Sequence, residues 1–194
     1  DLPANTYAVR LDVAASSVMN TGFELYNNIW VDPYGTMGAE SPEDEHDFSQ
    51  SPANTLSSYI LLNNAYWNGD QPVPDDPDDL INYTVDAQAM LADPQLPVFG
   101  EDLLLPRLDK QAGMIAGRYY TIREAFLDYV NKYGVPQLSS PVIDAADVAN
   151  AASEDILKQP RPQGSSSDLG AVEVINSASE QLDCSPMYGG YGID

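Results

Sequence analysis

A chain with a formal charge of −22 folds only if its apolar residues outweigh the mutual repulsion of its surface, and this imbalance constrains the fold more than any motif does. Thirty Asp and Glu residues face eight Lys and Arg. Low hydrophobicity is what usually keeps a highly charged chain disordered, yet 43% of these residues are hydrophobic. A packed core is therefore expected beneath an acidic exterior, and 194 residues are enough for one core.

The acid is mostly Asp, 21 residues against nine Glu, and the only lysines are Lys110, Lys132 and Lys158. Short, strongly hydrated carboxylates on such a surface repel one another at low ionic strength. At about 1 M salt the Debye length falls to roughly 3 Å and the repulsion is largely screened. This composition suits a halophilic or marine source. Nucleic acid is not an expected partner, because phosphate neutralisation needs clustered cations and Arg10, Arg107, Arg118, Arg123 and Arg161 read as scattered. No apolar run approaches the length of a transmembrane helix. Cys184 is the single cysteine, so neither an internal disulfide nor a Cys-rich zinc site is available. The chain starts at Asp1 without Met, as a processed or trimmed end would leave it, which suits an extracellular or virion protein.

Along the chain, residues 5–14 alternate with Tyr7, Val9, Leu11 and Val13 on one face, the pattern of a half-buried strand. Residues 21–31 suggest a second strand ending in the turn Asp32-Pro33-Tyr34-Gly35, with Trp30 anchoring a core. Residues 40–52 read as an exposed charged loop, 56–67 as a further strand, and the proline-rich 69–79 as a stiff connector. Residues 80–91 alternate at first and then turn helix-like.

Ile115, Tyr119, Ile122, Phe126, Tyr129, Val130 and Tyr133 recur at spacings of three and four, which predicts an amphipathic helix over 108–133. Gly134 would supply a left-handed stop and Pro136 prevent continuation. Gly113 and Gly117, four apart, suggest close helix packing. A second helix is expected over 145–158, capped by Asp144. No internal repeat stands out. The expected fold is α+β: a mainly antiparallel N-terminal β region, either a sandwich or a barrel, then two helices and an extended tail. Residues 1–159 would form the domain, and 160–194 a linker and C-terminal arm.

Chemistry-bearing constellations are few. Glu43, Asp44 and Asp47 surround His46, the only histidine, and would take calcium if any ion, although a solvated loop is the simpler reading. No other cofactor is implied. Asp75, Asp76, Asp78 and Asp79 lack the spacing of a calcium loop and are interrupted by Pro77. There is no G-x-S-x-G elbow and no glycine-rich phosphate loop. Asn82-Tyr83-Thr84 has the form of a glycosylation acceptor, on an expected strand. Twelve tyrosines against four phenylalanines point to interfaces, with Tyr119, Tyr120, Tyr188 and Tyr191 as candidates.

These features favour a structural or interaction subunit of a larger assembly of the virus-capsid or cell-surface kind, adapted to high salt. Other protein subunits, in a homo- or hetero-oligomer, would be its partners. The alternatives are an exported hydrolase using a carboxylate pair and a non-catalytic accessory subunit of a larger enzyme.

Overall fold

The computed structural model describes residues 6–11, 19–41, 44–75, 77–98, 108–111, 113–115 and 118–175. Its first half is a stack of coils. In the first coil run β1 (Thr6–Arg10), β2 (Phe23–Tyr26) and β3 (Ile29–Asp32). A short strand β4 (Ala39–Ser41) leads to the second coil, made of β5 (Asp44–Gln50), β6 (Tyr59–Leu62) and β7 (Ala65–Asn68). The third coil contributes β8 (Met90–Leu91).

Each side of one coil pairs in parallel with the same side of the next: β1 with β5, β2 with β6, and β3 with β7 and then β8. The expected antiparallel sandwich or barrel is overturned. Among the described residues the antiparallel strand pairs are β4–β5 and a two-residue hairpin. Parallel strands normally need long crossovers. Here a full coil serves as the crossover, and strand alternation alone does not distinguish this arrangement from a meander.

The coil corners explain the topology. Residues 21–31 and 56–67 each break into two strands, because Asn27 and Asn63 adopt φ of 57° and 59°. Asn tolerates this left-handed conformation better than most residues. The sequences around the two corners match, Leu25-Tyr26-Asn27-Asn28-Ile29-Trp30 against Leu61-Leu62-Asn63-Asn64-Ala65-Tyr66. An internal repeat with an offset of 36 residues thus exists, contrary to expectation. Asn28, Asn64 and Asp86 stack along the corner. Asn64 Nδ2 donates to Asp86 Oδ2 at 2.8 Å, and Asp86 also accepts the backbone N–H groups of Asn63 and Asn64.

Inside the coils Val9, Phe48, Leu56, Leu61, Tyr66 and Ile81 form the main core. Aromatic rings run from coil to coil: Trp30 meets Phe48 edge-on at 5.1 Å, and Phe48 meets Tyr66 at 5.2 Å. The charged segment 40–52 is therefore not a loop. It carries β4 and β5 and delivers Phe48 to the core. Residues 83–85 form a 3-10 turn capped by Asn82, which donates to Asp75, so the glycosylation triplet does not lie on a strand and its acceptor Asn82 is buried, while Thr84 is exposed.

In the second half the long helix expected over 108–133 is shorter. Strands β9 (Leu108–Asp109) and β10 (Met114–Ile115) make a hairpin, with Gly113 at φ 65°, and the helix α1 is confined to Ile122–Tyr133. Gly113 thus serves a turn, not helix packing, and Gly117 lies outside the described residues. Gly134 ends α1 at φ −96°, without the left-handed conformation expected of it.

The second helix is absent. Residues 145–158 hold only a 3-10 turn, Val148–Asn150, capped by Asp147. Asp144 and Lys158 take positive φ, and the backbone N–H groups of Ala146 and Ile156 reach across to Ser167 and Ala171. Spacing suited to a helix loses here to carbonyl and side-chain acceptors that lie outside the segment.

Residues 142–174 close one side of the stack. Val142, Ala146 and Leu169 pack with Ala65. Asn27 accepts from Asp147 N–H at 2.8 Å and donates to its carbonyl. Among the described residues no helix is long and apolar enough to cross a membrane.

Candidate interaction surface

Helix α1 starts where Thr121 accepts Glu124 N–H at 3.1 Å while Glu124 accepts the N–H groups of Tyr120 and Thr121, a reciprocal cap. Ala125 is the helix's one buried residue, set in a small cluster with Ile115 and Tyr119. Asp128 anchors the same side by accepting from Arg118 Nη2 at 3.0 Å and from the Tyr119 hydroxyl. That hydroxyl's pKa is raised, first by burial and then by the Asp128 bond.

The apolar stripe predicted for the core divides: Ile115 and Tyr119 are buried, Tyr129, Val130 and Tyr133 are half-buried, and Ile122 and Phe126 face outward. Ile122 is 76% exposed, Phe126 53% and the preceding Tyr120 75%. Successive helical residues turn by about 100°, so Arg123 and Lys132 fall on opposite margins of the stripe centred on Ile122 and Phe126. Both are exposed, and Lys132 Nζ sits 5.0 Å from the Tyr133 ring centre.

The charge around this face is unlike that of the rest of the chain. Between residues 107 and 133 lie five of the eight Lys and Arg but only three of the thirty Asp and Glu. The cations that read as scattered along the whole sequence are thus concentrated in the stretch of sequence that contains α1. A count of local charge over this window would have revealed it.

The structure separates the four tyrosines proposed as interface residues. Tyr120 is exposed, Tyr119 is buried against α1, and Tyr188 and Tyr191 lie outside the described residues. Of the calcium candidates, Asp44 and Asp47 belong to β5, where they pair in register with Ser41 and Tyr7, and Glu43 lies outside the described residues. Among the described residues no group of three His, Cys, Asp or Glu is arranged to hold a metal ion.

The buried carboxylates have a different use from the one sequence suggested. Asp168 accepts the N–H groups of Asp144 and Val174 at 2.7 Å each. Glu173 accepts those of Gln163 and Asp168, and Asp155 accepts those of Gln159 and Glu173. Arg161 Nε lies 3.3 Å from Glu173 Oε2, with the two side chains 6% and 1% exposed. These groups replace the backbone pairing that an irregular segment lacks. Asp79 likewise accepts Ser51 N–H beside a shallow depression lined by Phe48, Pro74 and Tyr83. Asp86, Asp155, Asp168 and Glu173 are therefore internal scaffolding, and not part of the hydrated exterior. No family model, curated protein or solved structure matches this chain.

Proposed function

We propose that the chain is a structural or interaction subunit of a larger protein assembly, of the virus-capsid or cell-surface kind, in a medium of high ionic strength, and that α1 is its docking face. The observation that carries this reading is the outward stripe of Ile122 and Phe126 on a helix that buries only Ala125. Isolated helices shorter than about 12–15 residues are marginal in water, and most helices in proteins are held by packing of the apolar face. A 12-residue helix with that face exposed gains its missing packing from a partner. The coil stack supports the reading too: it offers a base stapled at its corner, where Asp86 accepts from the Asn64 side chain and from the backbone N–H groups of Asn63 and Asn64.

The test is the size of the native particle. In material from the source organism, the chain should sediment with an assembly far heavier than 21.1 kDa. Recovery entirely as a free 21.1 kDa chain would reject the proposal.

A further inference from the structure

We infer that the partner seated on α1 is a second copy of this chain, joined head-to-tail, with the cation-flanked apolar face of one copy on the acidic exterior of the next. This rests on the docking role proposed above and adds the occupant. The argument is charge complementarity. The window 107–133 has two more cations than acids, whereas the remaining chain has three cations against 27 acids. Among the described residues outside the window, six exposed Asp and Glu stand against exposed Arg10 and Lys158, so another copy presents surface of the sign that Arg123 and Lys132 attract, while Ile122 and Phe126 supply the apolar contact.

The two surfaces differ, so the contact is heterologous. Such contacts build rings or open chains instead of closed dimers. A face-to-face pairing of two α1 helices would bring like charges together and is disfavoured.

Salt acts on this contact twice. Copies carrying −22 each repel over long range, and moderate salt screens that repulsion. Salt also weakens the local attraction at Arg123 and Lys132. Comparing variants at one fixed salt concentration isolates the local contribution.

Sedimentation velocity of the purified full chain, across protein concentration at about 0.15 M and about 1 M salt, tests the inference. The wild type should form a concentration-dependent series extending beyond dimers. R123E/K132E should weaken association at least tenfold at the lower salt. Phe126→Ser should weaken it at both salts, and Lys158→Glu, outside the window, should leave it unchanged. Circular dichroism checks that each variant keeps its fold. Phe126→Ser removes an exposed side chain and so stays informative even if the double variant unfolds.

A wild type that stays monomeric at every salt and concentration overturns the inference, whether residues 176–194 or a foreign protein then covers α1. So does association that neither variant weakens, or one that stops at a dimer. A heavy native particle combined with a monomeric pure chain would reject the second copy as occupant while leaving the docking role standing.

Discussion

Asn28 and Asn64 stand 36 residues apart and share one acceptor: Asn64 Oδ1 receives both the backbone N–H and the side-chain amide of Asn28, each at 2.9 Å. Asn64 is fully buried and also donates to Leu25 O and to Asp86. Asn64→Leu would strand these partners at the corner of the stack. Leaving a buried polar group unpaired costs about 1–3 kcal/mol, and several are affected. We expect a loss of at least about 3 kcal/mol in urea-unfolding free energy. A loss under about 0.5 kcal/mol would mean the ladder does not hold the coils together.

Gly170 combines φ 88° with a position where an added Cβ would sit 2.7 Å from Ile29 Cδ1. Gly170→Ala should therefore destabilise by about 1–3 kcal/mol, partly from the backbone and partly from the clash. Ile29→Val removes the offending methyl. In a double-mutant cycle the pair should lose less than the sum of the single losses, and strict additivity would place the whole cost in the backbone.

Two carboxylates should give opposite acid responses. Burial holds Asp168 above its usual pKa, helped by Glu173 and Asp144 and opposed by its two N–H bonds. The folded chain then binds that proton more tightly than the unfolded one, so the stabilisation is complete at acid pH and lost as pH rises through the folded value. For Asp32, burial raises the pKa, but hydrogen bonds from Thr36, Tyr34 and Met37 outweigh it and leave the value lowered. Its stabilisation is present above the usual carboxylate range and lost as pH falls. Relative to wild type, the deficit of Asp168→Asn should shrink from acid toward neutral pH while that of Asp32→Asn grows. Parallel profiles in chemical unfolding would contradict both assignments.

The Arg161–Glu173 pair is enclosed, with Arg161 Nη2 also donating to Gly170 O at 2.8 Å. Removing one partner of a buried pair leaves an uncompensated charge and costs about 3–5 kcal/mol. Arg161→Met should lose about that much by urea unfolding, and adding Glu173→Gln should recover part of it. If the single variant loses nothing, the pair is not what fixes residues 142–174.

A surface of this charge should be stabilised by screening. We expect the melting temperature to rise by several degrees between about 0.01 M and about 1 M salt, with most of the gain at the low end, where the Debye length falls from about 30 Å to about 10 Å. A flat profile in differential scanning calorimetry would remove the argument for a saline habitat.

Local patterns in the sequence located parts of the structure correctly. Alternation places Val9 inward with Ala8 and Arg10 outward on β1, and Asp32-Pro33-Tyr34-Gly35 does turn, with Asp32 accepting Tyr34 N–H at 2.9 Å. What alternation does not carry is the direction of pairing, because a strand's period of two is the same in parallel and antiparallel sheets. The coils became legible only through the left-handed Asn27 and Asn63, whose shared Asn-Asn pairs were present in the sequence but short and flanked by dissimilar loops. The apolar spacing predicts the helical part, Ile122–Tyr133, but not the hairpin at 108–115, and it points Ile122 and Phe126 inward where they are exposed. Periodicity reports a stripe and does not say whether the stripe meets this chain's core or another surface. The absent second helix fails for a different reason: Asp144, Asp155 and Asp168 accept N–H groups 18 to 24 residues away, a distance that helical periodicity does not read.

The corner geometry also says how such a chain could change length. Ala65 pairs backward with Ile29 at an interval of 36 residues and forward with Met90 at 25, yet both contacts keep the same parallel register. Successive turns are thus measured at the corners and not by residue count, since a longer surface loop adds only a small closure entropy. Insertions and deletions between corners would alter the outline of the molecule while leaving its axis intact. Loss of a single corner asparagine would shift the alignment of every turn stacked beyond it.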